Sequence, residues 1–157
     1  MSQQPKISAQ GLNLTFQTND GPVHALKDVD LNIEEGEFVS FIGPSGCGKT
    51  TFLRCIAGLE TPTAGALSVN GMTADEARRS RAYGYVFQHA GLYPWRTIGG
   101  NIRLPLEIMG YSKADQSERV AKTLEMVDLA GFEKKYPWQL SGGMQQRASI
   151  EIGRAHV

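Results

Sequence analysis

Apolar residues alternate with polar ones in the first third of the chain and recur at helical spacing further on. Leu12, Leu14 and Phe16 fall two apart within residues 7–16, the period of a half-buried strand. The turn sequence Asn19-Asp20-Gly21-Pro22 follows, and Val29, Leu31 and Ile33 alternate again over residues 25–33, so the two segments are predicted to pair antiparallel. Phe38-Val39-Ser40-Phe41-Ile42 does not alternate, which is the pattern of a strand buried on both faces of a mainly parallel sheet, and it stops at Gly43. A helix over 50–57 closed by Gly58, a loop over 61–65, a short strand over 66–69 ending in Asn70-Gly71, and another strand over 83–87 are predicted next. Helical runs over 98–109 and 113–129 follow, separated by Gly110. Ser112 with Asp115 resembles a capping box, Val120, Leu124 and Val127 share one face, and Gly131 is placed to close the helix. The expected organisation is a polar tail over 1–6, a mixed α/β segment, and a helical segment over about 91–139.

Composition narrows the class. A chain of 157 residues that is 41% hydrophobic and 20% charged matches one globular domain with a core. Lys plus Arg and Asp plus Glu are both 16, so no net field draws the chain onto nucleic acid or an anionic membrane. The most apolar window, 38–42, is far shorter than the roughly 20 residues of a membrane span. A cytoplasmic chain reaching a membrane through a partner is expected. Cys47 and Cys55 form no Cys-x-x-Cys or Cys/His set, so a disulfide framework or metal site is not expected, and Cys55 reads as core filler. His24, His89 and His156 have no partners at catalytic spacing.

Gly43-Pro44-Ser45-Gly46-Cys47-Gly48-Lys49-Thr50 satisfies G-x-x-x-x-G-K-[ST] between an apolar stretch and a helix. The glycines let the backbone curl until successive N–H groups face inward, a concavity suited to phosphate oxygens, and the helix start adds its positive dipole end. Lys49 supplies a point charge for the β- and γ-phosphates of ATP, the Thr50 hydroxyl a ligand for Mg²⁺, and Thr51 a further hydroxyl. A Gly-rich turn that binds nothing is the competing reading, but this pattern arises by chance in well under about one in a hundred chains of this length.

Leu140-Ser141-Gly142-Gly143-Met144-Gln145-Gln146-Arg147 places a hydroxyl residue at a helix-cap position, then two glycines, then helix formers. Alone it describes an open helix N-terminus, most often only a cap. About a hundred residues after a phosphate loop, it resembles the signature of the ATP-binding cassette (ABC) family, LSGGQ or a close variant, and the resemblance runs over about 7–150. It implies a P-loop NTPase α/β fold with an N-terminal antiparallel β subdomain and a helical insertion. It also implies that Phe16 stacks the adenine and that Gln88 reaches Mg²⁺ and the attacking water. A core Phe and a solvated Gln are the plainer alternatives.

The stretch Val86 to Arg96, with Tyr136-Pro137-Trp138-Gln139, looks most like the importers of nitrate, sulfonate, taurine and related nutrients. In that family the region after Gln88 touches the transmembrane permease, which points to Gly91, Leu92, Tyr93, Pro94 and Trp95; packing inside the helical segment competes with this reading. A second ATP-binding subunit would close head-to-tail, its Ser141, Gly142, Gly143 and Gln145 facing ATP held by Gly43 to Thr51. A soluble ABC ATPase and a non-hydrolysing ATP-binding regulator are the rival functions.

Family hydrolysis uses an apolar strand ending Asp-Glu after the signature helix, and a later histidine, neither of which occurs within the chain. The expectation is a truncated fragment without hydrolytic activity of its own. Residues 151–157, Glu-Ile-Gly-Arg-Ala-His-Val, also translate a common sequencing-adapter string and put Gly153 inside a helix at a cost of about 1 kcal/mol. They read as adapter sequence fused after Ile150, with a natural divergent end as the alternative.

Overall fold

The computed structural model describes residues 5–154, which form two compact units dividing between Ala82 and Tyr83.

The first unit is built on β1 (Ile7–Thr18), β2 (Gly21–Ile33), β3 (Ala64–Val69) and β4 (Met72–Thr73), in a sheet of order β2-β1-β3-β4. Every pairing is antiparallel. The turn at residues 19–20 brings Thr18 opposite Gly21, and the ladder runs back to Ile7 opposite Ile33 with bulges on the way. Asn70 and Gly71 both take positive φ, 52° and 73°, the left-handed pair that a two-residue hairpin turn requires. Leu12, Leu14 and Leu26 fill the core with Ala9, Phe52 and Cys55. Phe52 and Cys55 come from α1 (Lys49–Ile56). Leu59 N–H donates back to Arg54 O at 2.9 Å while Gly58 turns left-handed, so Gly58 closes the helix as its position in the sequence suggests. The six-residue α2 (Ala74–Arg79) starts in a capping box, Thr73 accepting from Glu76 N–H and the Glu76 carboxylate accepting from Thr73 N–H.

Two expected strands are absent. Residues 38–42 and 83–87 are irregular, and no pairing in the sheet is parallel. A strand exists only through its ladder, and among the described residues neither segment joins one. Phe41 still packs edge-on against Phe52 at 5.5 Å, whereas Phe38 and Ile42 are 96% and 95% exposed. The apolar run that suggested a doubly buried strand is therefore mostly at the surface.

The second unit is helical: α3 (Ile98–Ile108), α4 (Lys113–Met126), a 3₁₀ turn at Pro137–Gln139, and α5 (Gly142–Arg154). Thr97 caps α3 by accepting from Gly100 N–H, and Ser112 caps α4 by accepting from Asp115 N–H. Ile98, Ile102 and Leu106 of α3 meet Val120 and Leu124 of α4, with Leu129, Leu140 and Ala148 completing a core. Gly131 does not close α4. Asp128, at φ 55°, takes the left-handed position, and Leu129 N–H reaches back to Leu124 O at 2.8 Å. Asp tolerates that conformation, and burying Leu129 against the core fixes the exit one turn earlier than the glycine suggests. Helix α5 continues past Ile150 through Gly153 to Arg154; positions 155–157 of the suspected adapter segment lie outside the described residues.

Candidate nucleotide-binding site

The loop over 43–48 leads directly into α1, and its shape rests on backbone that only glycine accepts at low cost. Gly46 and Gly48 have φ of 81° and 93°. At Gly48 a second reason applies: a Cβ there would lie 2.6 Å from Ala25 O and 3.0 Å from Leu26 Cδ2, so the helix start is pressed onto β2. A Cβ on Gly43 would meet Cys47 Sγ at 2.9 Å across the curl of the loop.

The electrostatics are those of an anion cradle. No side chain caps α1 and no acidic residue lies in its first turn, so its leading N–H groups carry the positive end of the helix dipole uncancelled. The Lys49 ammonium folds over the loop, donating to Gly43 O and Pro44 O, both at 2.7 Å, and lying 3.3 Å from Cys47 Sγ. A fixed cation, unpaired N–H donors and glycine-lined space are what a polyphosphate requires. Ser45 and Thr50 are exposed and Thr51 half-buried, leaving hydroxyls at the loop and first turn. Deeper in α1, Cys55 is buried; burial pushes its thiol up, Glu60 adds to the shift and Arg54 opposes it. It is core filler, as its spacing suggests.

Phe16 is not a core residue. The residue is 37% exposed, opposite Val23 in the β1–β2 hairpin, two residues from the Ala25 carbonyl that Gly48 abuts. The hairpin and the phosphate loop thus belong to one packed unit.

The other expected site residues belong to the second unit. Gln88 is exposed in an irregular stretch, and its neighbour Phe87 accepts a hydrogen bond from Gln146 Nε2 of α5 at 3.3 Å. Ser141 caps α5 by accepting from Met144 N–H at 3.3 Å, and open space surrounds the missing Cβ positions of Gly142 and Gly143. Gln145 does not point outward: its Nε2 donates to Pro137 O at 2.9 Å and Leu140 O at 3.1 Å, tying the 3₁₀ turn to the signature helix. Helix geometry explains this, since the side chain of a first-turn residue leans toward the N-terminus, where the Leu140 and Pro137 carbonyls lie within its reach.

In the stretch after Gln88, Gly91 turns at φ 60° and Leu92 packs against the helical core. Tyr93 and Trp95, 44% and 70% exposed, hold their rings 5.0 Å apart around Pro94. Sequence reading overlooked the residue behind them. Asn101, 3% exposed, lies on the apolar stripe of α3 and bonds the backbone of this stretch. A polar residue in register with Ile98 and Ile102 was the available signal.

Among the described residues no group of three or more His, Cys, Asp or Glu side chains is placed to hold a metal ion, and no helix is long and apolar enough to cross a membrane.

Comparison with known proteins agrees with this geometry. The chain is 45% identical over 145 residues to an uncharacterized ABC transporter ATP-binding protein of Methanocaldococcus jannaschii, covering 92% of this chain and 54% of that protein. It is 43% identical to the nitrate import ATP-binding protein NrtD of Synechocystis (88% of this chain, 52% of the relative) and 46% identical to the taurine import ATP-binding protein TauB of Yersinia pestis (80% and 49%). The chain thus spans about half the length of these curated relatives. A solved dimeric ATP-binding cassette in a post-hydrolysis state, bound to ADP and Pi, superposes with a TM-score of 0.86 at 37% identity, over 96% of this chain and 69% of that one. Residues 26–155 match the ABC transporter family, and the chain belongs to it.

Proposed function

We propose that this chain is the nucleotide-binding part of an importer's energy-coupling ATPase subunit, working at the inner face of the cytoplasmic membrane to drive uptake of a small nutrient such as nitrate, a sulfonate or taurine. The observation that carries the reading is the phosphate loop, with its glycine backbone, uncapped helix start and Lys49 ammonium held over the Gly43 and Pro44 carbonyls. The family and the import proteins among its relatives set the context.

Mg²⁺-ATP supplies a phosphoanhydride whose cleavage releases the free energy that transport consumes. Gly43, Pro44, Ser45, Gly46, Cys47 and Gly48 line the cradle through their backbone, Lys49 neutralises phosphate charge, and Thr51 adds a hydroxyl. The half-exposed ring of Phe16 offers the adenine a flat apolar surface. The Thr50 hydroxyl would supply a neutral oxygen to Mg²⁺; for Gln88, the family resemblance assigns an amide that would serve the same ion and orient water. Ser141, Gly142 and Gly143 present the open start of α5 to ATP bound by a second, head-to-tail copy, while Gln145 braces that start from behind. Gly91, Leu92, Tyr93, Pro94 and Trp95 form the knuckle that meets the permease.

Lys49→Ala tests the core of this reading. Removing one charge-assisted contact lowers ATP affinity about ten- to a hundredfold, or about 1.5–3 kcal/mol. Equal ATP binding by the folded parent and the folded variant would rule the cradle out as the nucleotide site.

A further inference from the structure

A buried amide is costly unless each of its polar atoms is paired, and asparagine is a poor helix former, so Asn101 inside α3 needs a reason. Its partners supply one. The Tyr93 N–H donates to Asn101 Oδ1 at 2.7 Å, and Asn101 Nδ2 faces Tyr93 O at 3.2 Å, Arg96 O at 3.1 Å and Thr97 O at 2.9 Å. Both backbone groups of Tyr93 are bound by one side chain, as in a one-residue β-bridge, while the same amide reaches the carbonyls at the far end of the turn. Arg96 N–H closes that turn onto Tyr93 O at 3.1 Å, and the Arg96 guanidinium bonds Gly100 O and Glu107 of the same helix.

We infer that Asn101 is the positioning residue of the Tyr93–Trp95 knuckle: its buried amide fixes the Tyr93–Arg96 backbone on the first turn of α3, so that the two rings stand out pre-ordered for a protein partner. The inference rests on the docking reading of Tyr93 and Trp95 given above. The knuckle has no other regular structure to hold it, because residues 91–97 lie in neither helix nor strand. Without the amide, two large exposed rings would sit on a mobile loop, and binding would have to order them at an entropic cost. Isosteric aspartate does not substitute, since a carboxylate keeps the acceptor for Tyr93 N–H but turns an oxygen toward three carbonyls.

Trp95 and Trp138 are the two tryptophans, so Trp138→Phe leaves Trp95 as the sole fluorescent reporter of the knuckle. In that background Asn101→Ala and Asn101→Asp should each lower Trp95 anisotropy and raise its quenching by acrylamide, well below the melting transition and with ATP affinity unchanged. A purely structural role lowers the melting temperature and leaves Trp95 as rigid as before, which would overturn the inference. Amide hydrogen exchange in the unsubstituted chain needs no variant: Tyr93 N–H should be protected, and rapid exchange there would equally overturn it. Capture by a detergent-solubilised membrane subunit of a nitrate importer separates the two claims. Tyr93→Ala with Trp95→Ala should lose capture, and Asn101→Ala should weaken it about tenfold. A mobile Trp95 in Asn101→Ala, with capture untouched by the double substitution, upholds the amide's hold and removes the docking reading. A rigid Trp95 with capture lost in the double variant does the reverse.

Discussion

Alanine at Gly48 should damage the protein far more than alanine at Gly46, although both glycines belong to one loop and both have left-handed backbone. At Gly46, φ is 81° and nothing lies within 4 Å of a built Cβ, so only conformational strain applies, about 1–2 kcal/mol. At Gly48, φ is 93° and the same strain is joined by a Cβ placed 2.6 Å from Ala25 O and 3.0 Å from Leu26 Cδ2. Neither neighbour can yield cheaply: Leu26 is 6% exposed in the core, and its backbone is opposite Leu14 in the β1–β2 ladder. Overpacking of this kind adds about 1–3 kcal/mol. Gly48→Ala therefore loses about 2–5 kcal/mol in all, a large share of the roughly 5–15 kcal/mol that holds a domain folded. Urea unfolding followed by circular dichroism reads the difference. With a slope of about 2 kcal/mol/M, the Gly48→Ala midpoint should lie about 0.5–1.5 M below that of Gly46→Ala. Equal midpoints, or a lower one for Gly46→Ala, would show that the start of α1 is not pressed onto β2.

Two further outcomes are expected. In the native chain a thiol reagent should label Cys47, which is exposed, and spare Cys55, which is fully buried with its thiol pushed up by that burial; ATP should slow the Cys47 reaction, and fast labelling of both thiols before unfolding would contradict the packing. The Thr73 hydrogen bonds hold the Glu76 carboxyl below its ordinary 4.5, and the Arg78 guanidinium holds Asp75 below 3.8. A depressed carboxyl stabilises the fold above its unfolded pKa and loses that contribution as pH falls through the folded value. The small stability gap between parent and Glu76→Gln should therefore be present at pH 7 and shrink as pH falls below 4.5 towards the lowered folded value; a gap that stays unchanged throughout acid titration would show that the capping box does not depend on the carboxylate.

Features set by neighbours in the chain were legible in the sequence. The β1–β2 hairpin follows from alternation on either side of a strong turn, α3 from a helical run that stops before Gly110, and α4 from its apolar stripe and the cap at Ser112. The phosphate loop was legible for the same reason, because its curl depends on glycines within a few residues of Lys49 and on the helix that begins there. Each of these is decided by hydrogen bonds and φ preferences spanning only a few positions, which residue order specifies directly.

What distant residues decide was not legible. Residues 38–42 and 83–87 carry strand-like composition, yet a strand is defined by its partner, and composition does not say whether one is in reach. Only the fold shows that Gly48 is squeezed by β2, or that Gln145 leans back to the Pro137 carbonyl. Asn101 makes the contrast within a single residue. Its place on the apolar stripe of α3 is written in the sequence, but its bonds to a turn eight residues earlier exist only because the chain doubles back over the helix start. Local order determines which backbone shapes are available, and tertiary packing decides which buried polar groups find partners, because an unpaired one costs more than the helix or loop that carries it gains.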